Sequence, residues 1–134
     1  MSFTDDSKAV IALTTRLGNS GRPSLPPTRW HELSEVLMEN GLTPAGLFDP
    51  DLEIEQLSGI RPEMASSIRE LILDASAATV AASELERKGI WTLTITDDDY
   101  PQSFVDRLGR NAPPVISGAG DRSLLSGNGV AIVG

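Results

Sequence analysis

Three neighbouring carboxylates, Asp97-Asp98-Asp99, form the cluster of this sequence with the clearest potential for chemistry. Carboxylate oxygens are the ligands that Mg²⁺ prefers, and residues just past a strand are well placed to hold a cation. The same residues also suit a turn, because Asp side chains favour turns and stabilise the N-terminus of a following helix. Both interpretations stay open, and the turn is the simpler one.

The single histidine, His31, stands in a chain that contains no cysteine. A familiar metal site needs several such ligands, and nucleophilic catalysis needs a base held beside a nucleophile. The sequence offers neither arrangement. We therefore expect His31 to lie at the surface, and we expect a protein that is not an enzyme, with no catalytic residue, no metal and no cofactor.

A glycine turn between apolar segments, Leu57-Ser58-Gly59-Ile60-Arg61-Pro62, is similar to the hairpin of a helix-hairpin-helix motif. In that motif the turn and the N-terminus of the second helix can hold a DNA phosphate. Arg61 stands where the motif usually has glycine, and its guanidinium could supply a cation. Arg61 is therefore a candidate nucleic-acid-binding residue. The alternative is a packing hairpin that makes no contact with DNA.

The last residues, Gly129-Val130-Ala131-Ile132-Val133-Gly134, place four apolar residues between glycines. This pattern predicts a strand buried inside a parallel sheet. A glycine directly after such a strand is where phosphate-binding α/β folds turn into a helix. Gly134 is therefore a second candidate nucleic-acid-binding residue, at a turn that the chain begins and does not finish. We expect the chain to be the front part of a larger protein.

Helices must position the hairpin. Thr4 is a plausible N-cap for a first helix, and a second helix, capped at Thr28, carries Trp30 on its apolar face. Residues 42–57 are broken by proline and glycine and leave room for short helical turns only. From Pro62 to Leu85 apolar residues recur at helical spacing, which predicts one long helix that ends at Gly89.

Strands are predicted after Gly89. Residues 90–95 are apolar or β-branched, Pro101 opens a short helix, and Val115-Ile116 begins a second strand. A strand, a helix and a strand in this order favour a parallel, right-handed crossover.

The composition limits the functions that the chain can have. The 134 residues carry a formal net charge of −8, which argues against an electrostatic clamp for nucleic acid or anionic lipid. The chain has no apolar segment near the roughly 20 residues that a membrane span needs, and its N-terminus lacks a signal-peptide pattern. We expect a cytoplasmic protein without a membrane partner.

From Asp98 onward, the ordered residues resemble the DNA-processing protein DprA (Smf) family. The helical region before Gly89 is similar to the N-terminal domain of that family. The matching residues are Asp99-Tyr100-Pro101, Leu108, Ala112-Pro113-Pro114-Val115-Ile116, Gly120-Asp121, Leu124-Leu125 and Gly129-Val130-Ala131-Ile132-Val133-Gly134.

The resemblance implies an α/β protein in two parts. Residues 1–88 would form a helical N-terminal domain, SAM-like or helix-hairpin-helix-like, and residues 89–134 the incomplete opening βαβ part of a Rossmann-like parallel sheet. The implied function is binding of single-stranded DNA and loading of RecA recombinase in natural transformation or recombination.

The family's basic phosphate pocket follows the closing glycine, so we expect this chain alone to bind DNA weakly. An uncovered closing strand also predicts a homodimer or strand exchange. The alternatives are a protein-interaction module with no direct DNA binding, or a fragment of a nucleotide-binding Rossmann-like enzyme.

Overall fold

The fold is mixed α/β, as described by a computed structural model for residues 3–17, 23–120 and 131–133. The described helices are α1 (Asp5–Thr14), α2 (Pro27–Glu39), α3 (Pro62–Ile72), α4 (Ala75–Arg87) and α5 (Gln102–Leu108). The strands are β1 (Ile90–Thr94), β2 (Val115–Ala119) and β3 (Ala131–Val133). Short 3-10 turns lie at Pro44–Phe48, Ile54–Gln56 and Gly109–Asn111. Within these ranges, no helix combines the length and the apolar character that a membrane crossing requires.

Helix α1 lies at the centre of the packing. It begins as predicted, with the Ser7 backbone N–H donating to Thr4 Oγ1 at 3.1 Å. One side of α1 contributes Val10 and Leu13 to the main core, whose other buried members include Trp30, Leu33, Leu37, Ile68 and Leu71. The other side contributes Ile11 to a second cluster with Ala78 and Ala82 of α4. Helix α1 therefore joins the helical core to α4.

The long helix predicted from Pro62 to Leu85 is instead two helices, α3 and α4. The chain turns at Leu73 and Asp74, where the Asp74 N–H donates to the Leu71 carbonyl at 3.0 Å. Helix α3 buries its apolar face in the main core, whereas α4 packs against α1 and β1. The break changes the helix direction so that each segment reaches its own neighbours, although the apolar spacing continues through it.

The sheet is antiparallel, with β2 between β1 and β3. The register places Trp91 opposite Gly118 and Leu93 opposite Ile116. The Ile95 N–H donates to the Pro114 carbonyl at 2.8 Å. The connection through α5 therefore leaves β1 and enters β2 at the same end of the strand pair. The chain therefore reverses direction between β1 and β2, and the parallel pairing that we predicted is wrong for the described strands. β3 also pairs antiparallel with β2, as in the match of Ser117 with Val133.

Both faces of the β1–β2 pair are covered. On one face Trp91 and Leu93 pack with Tyr100, and Phe104 of α5 packs against them. On the other face Val115 packs against the cluster of α1 and α4. Sheets covered on both faces are typical of layered α/β folds. The predicted division of the chain after residue 88 stays a prediction, since α1 contacts elements on both sides of it.

Candidate nucleic-acid interface

The turn at Gly59 and Arg61 lies beside α2 and forms one wall of a surface groove of about 470 Å³. Gly59 has φ +88°, a left-handed conformation that favours glycine. Six charged side chains line this groove, which we call the hairpin groove: Arg29, Arg61, Arg110, Glu32, Glu35 and Glu39. The sequence candidate Arg61 therefore lies at a surface where an anion could approach.

The turn is held in place by packing and by polar contacts with the end of α2. Leu57 and Ile60 pack against the main core, and the Ile60 N–H donates to the Leu57 carbonyl at 3.2 Å. The Asn40 side-chain amide donates to the Ser58 carbonyl at 3.2 Å and accepts from the Ser58 N–H at 3.3 Å. These contacts account for the hairpin as a packing unit, whether or not it binds DNA.

Arg61 is engaged by a carboxylate of its own chain. Its Nη2 donates to Glu32 Oε1 at 2.6 Å, while Nη1 of Arg29 donates to Glu32 Oε2 at 2.9 Å. The hydrogen bonds from Arg29 and Arg61 hold the pKa of Glu32 below its ordinary value, so this carboxylate stays charged at neutral pH. A phosphate that approached Arg61 would have to displace Glu32.

The third arginine of the hairpin groove is paired as well. Nη2 of Arg110 donates to both carboxylate oxygens of Glu35, at 2.7 and 2.6 Å. This ion pair joins α2 to the turn that precedes β2. With three arginines and three glutamates, the groove has no excess positive charge. Since affinity for nucleic acid rests largely on cations that displace counterions from phosphates, the groove as it stands is a poor polyanion site.

His31 is half-buried, not on the open surface as predicted. Its Nε2 lies 3.1 Å from the carbonyl oxygen of Ala112, which is fully buried just before β2. His31 and the ion pair of Glu35 and Arg110 thus both link α2 to the segment that precedes β2. In the ranges that the structure describes, no group of three His, Cys, Asp or Glu side chains is placed to hold a metal ion.

The carboxylate cluster after β1 forms the turn that the sequence predicts. Asp97 Oδ1 accepts from Ser7 Oγ at 2.8 Å, and Oδ2 accepts from the Thr94 N–H at 2.8 Å. Ser7 also lies 3.0 Å from Thr94 Oγ1. The two oxygens of Asp97 therefore fix the start of α1 to the end of β1. This contact was not foreseen, because Ser7 and Asp97 are distant in the sequence and neither stands in a recognisable motif.

Tyr100 was noted only as part of the family resemblance, yet it has a defined contact. Its phenol oxygen donates to the Pro113 carbonyl at 2.6 Å, and burial raises its pKa to about 12. The sequence shows a single tyrosine between a predicted turn and a helix start. Since a tyrosine hydroxyl group usually finds a partner when it is buried, this position could have indicated such a hydrogen bond.

The second sequence candidate, Gly134, lies outside the described residues, as do Gly129 and Val130 of the closing strand. The structure therefore places Arg61 in the hairpin groove. Whether Arg61 and Gly134 lie near each other stays a prediction. Comparisons with protein families, with curated proteins and with solved structures each found no match. The resemblance to the DprA family stays a prediction.

Proposed function

We propose that this chain belongs to a DNA-processing protein of the kind that the DprA (Smf) family represents, which binds single-stranded DNA and loads RecA recombinase onto it. Residues 1–88 are its helical N-terminal domain, SAM-like or helix-hairpin-helix-like, and residues 89–134 open its Rossmann-like domain. In this proposal the described residues support the DNA-binding site and do not hold the strand themselves.

The hydrogen bond between Tyr100 and Pro113 is the observation that carries the proposal. Asp99-Tyr100-Pro101 and Ala112-Pro113-Pro114 are two of the segments on which the resemblance rests, and this bond joins them at 2.6 Å. The Ile95 N–H donates to the Pro114 carbonyl beside it. Segments that are separate in the sequence therefore form one unit at the entrance to β2, which supports the view that they belong to one structural motif.

The antiparallel pairing of β1 with β2 is compatible with a Rossmann-like domain. Mixed sheets are common among doubly wound α/β folds, in which an antiparallel edge strand adjoins parallel strands. Helices cover both faces of the β1–β2 pair, and this layering also favours an α/β domain. β3 also pairs antiparallel with β2, so in our proposal all three described strands belong to such an antiparallel edge.

The charges of the described residues favour a supporting role beside a DNA-binding site over direct contact with DNA. Each arginine of the hairpin groove is paired with a glutamate, and the whole chain carries a net charge of −8. Single-stranded DNA is held by basic grooves and by aromatic side chains on which bases stack. Trp30, Trp91 and Tyr100 are all buried in the fold, so their rings serve packing.

The proposal is tested with the protein expressed from the whole reading frame that encodes this chain. RecA is added to single-stranded DNA that is already coated with single-strand-binding protein, and its DNA-dependent ATP hydrolysis is followed. We expect the protein to shorten the lag before hydrolysis and to bind the uncoated strand in a salt-dependent way. An unchanged lag together with no binding to the strand would overturn the proposal.

A protein-interaction module without direct DNA binding is the second candidate, and the exposed apolar residues of the α4 region favour it. Leu73 is 77% exposed and Val80 is 58% exposed. If this candidate holds, the whole reading-frame product captures a partner protein, loses it on the Val80→Asp substitution, and shows no affinity for single-stranded DNA.

A further inference from the structure

Two side chains of α2 hold the segment that precedes β2. Nε2 of His31 lies 3.1 Å from the carbonyl oxygen of Ala112, and Nη2 of Arg110 donates to both carboxylate oxygens of Glu35. Residues four apart share one face of a helix, so both contacts come from the same side of α2. We call these two contacts the α2 clamp. The clamp connects residues that are 75 and 81 positions apart in the sequence.

The end of β1 is attached to a helix as well. Ser7 of α1 is fully buried. Its Oγ donates to Asp97 Oδ1 at 2.8 Å and lies 3.0 Å from Oγ1 of Thr94, which is also fully buried. Helix α1 therefore holds the strand pair where β1 ends, and the α2 clamp holds it where the chain returns towards β2.

Apolar side chains are shared between the helices and the strands at the same place. Ile95, directly after β1, packs against the main core and also against the cluster of Trp91 and Leu93. Val115, the first residue of β2, packs against the main core and also against the cluster of α1 and α4. A separation of the helices from the strand pair would therefore expose apolar surface on both sides to water.

We propose that these attachments make the first four helices and the β1–β2 pair one conformational unit, in which the hairpin groove keeps a fixed position relative to the sheet. Glu35 and Arg110 line the hairpin groove and also form part of the α2 clamp. A change at the groove should therefore alter the stability of the strand pair. The boundary predicted after residue 88 then separates two stretches of sequence, but not two units that unfold independently. This coupling is independent of the proposed function.

Each part contains one of the two tryptophans, Trp30 in α2 and Trp91 in β1, and both side chains are buried. In the Trp30→Phe variant fluorescence reports only on the strand pair. Far-UV circular dichroism of the same variant reports mainly on the helices, of which four of the five described precede residue 88. We expect both signals to change at the same urea concentration. Two separated transitions would overturn the proposal.

A substitution in the helical core tests the coupling while both tryptophans are kept. Ile68 of α3 is fully buried in the main core, and Ile68→Val removes one methylene group from it. Hydrogen exchange of the Leu71 N–H in α3 should then accelerate about three- to tenfold. The Ile95 N–H, which donates to the Pro114 carbonyl, should accelerate by the same factor. An acceleration that is confined to α3 would overturn the proposal.

The α2 clamp has its own test, with a matched control on the same helix. Glu35→Gln removes the carboxylate that holds Arg110, and should accelerate exchange of the Ile95 N–H about fivefold. Glu39→Gln removes the same charge from the same groove, but Glu39 has no hydrogen-bond or ion-pair partner among the described residues. This control should change the exchange rate by less than about twofold. Equal rates in the two variants would show that Glu35 does not hold the strand pair, and would overturn the proposal.

Discussion

The phenol oxygen of Tyr100 donates a hydrogen bond of 2.6 Å to the carbonyl oxygen of Pro113, across the connection between β1 and β2. Tyr100 is only 8% exposed, and its ring meets Phe104 edge-on at 6.0 Å between centroids. The bond closes the two ends of the connection against each other. It therefore helps to set both the direction of β2 and the place where α5 covers the sheet.

Replacement of Tyr100 by phenylalanine should lower the free energy of unfolding by about 1–2 kcal/mol, because the partly buried Pro113 carbonyl loses its donor while the ring packing is kept. Urea unfolding, followed by tryptophan fluorescence, measures this loss. Leu108→Ala in α5, at a side chain that is 46% exposed, is the nearby control and should cost less. A Tyr100→Phe variant as stable as the wild type would show that the bond contributes nothing.

The same tyrosine predicts a loss of stability in alkali. Burial raises the pKa of Tyr100 from 10.0 to about 12 in the folded chain. The unfolded chain releases the phenol proton first, so stability is complete below pH 10 and falls as the pH rises towards 12. Tyr100 is the sole tyrosine of the sequence, so phenolate absorbance reports on it directly.

In the Tyr100→Phe variant this part of the alkaline loss should vanish. Ionisation of Tyr100 near pH 10 in a chain that is still folded would contradict the buried environment described for its hydroxyl group.

Asp97 is predicted to be a structural carboxylate. Asp97→Ala removes the acceptor of Ser7 Oγ and of the Thr94 N–H, and should cost about 1–3 kcal/mol of unfolding free energy. Asp98→Ala removes the same charge from an exposed position and should change stability by less than about 0.5 kcal/mol. Thermal or urea unfolding compares the two variants.

Millimolar Mg²⁺ should leave the unfolding midpoints of the wild type and of Asp98→Ala equally unaffected. A Mg²⁺-dependent stabilisation that Asp97→Ala abolishes would restore the metal interpretation of this cluster.

Glu32 is predicted to suppress anion binding at the hairpin groove. Glu32→Gln frees Arg29 and Arg61 from a shared carboxylate, and should raise the affinity for an oligothymidylate roughly three- to tenfold at low salt. Glu55→Gln is the matched control, because it removes the same charge from the ion pair with Arg69, away from the groove. Fluorescence anisotropy of the labelled oligonucleotide measures both variants.

The gain from Glu32→Gln should disappear as salt is raised. Equal affinities of the two variants would mean that only the net charge matters, and that Arg61 has no particular place in DNA binding.

Local signals in the sequence predicted the helices and strands well where neighbours in the chain decide the structure. The cap at Thr4, the stripe of α2 with Trp30 and the strand after Gly89 are confirmed. The cap predicted at Thr28 is wrong, because α2 begins one residue earlier, at Pro27, and has no side-chain cap. The break between α3 and α4 was not predicted, because the apolar spacing runs through Leu73 and Asp74 without interruption. There, the packing partners of the two helices decide where the chain turns.

Long-range contacts could not be inferred from spacing. The direction of β2 depends on the closure between Ile95 and Pro114, and a strand-helix-strand pattern is equally typical of a parallel crossover. The state of Arg61 depends on Glu32, which is distant in the sequence and belongs to another helix. The sequence could indicate a cation at the hairpin, but not that a carboxylate of α2 already neutralises it.

We propose that the described residues support a DNA-binding site and do not bind single-stranded DNA themselves. The most direct test is the affinity of the 134-residue chain for single-stranded DNA as the salt concentration is varied. Anisotropy of a labelled oligothymidylate should show weak binding, with little dependence on salt, because the described arginines of the hairpin groove are neutralised within the fold. Tight binding that is lost as salt rises would contradict this account, and would place a phosphate-binding surface on the chain itself.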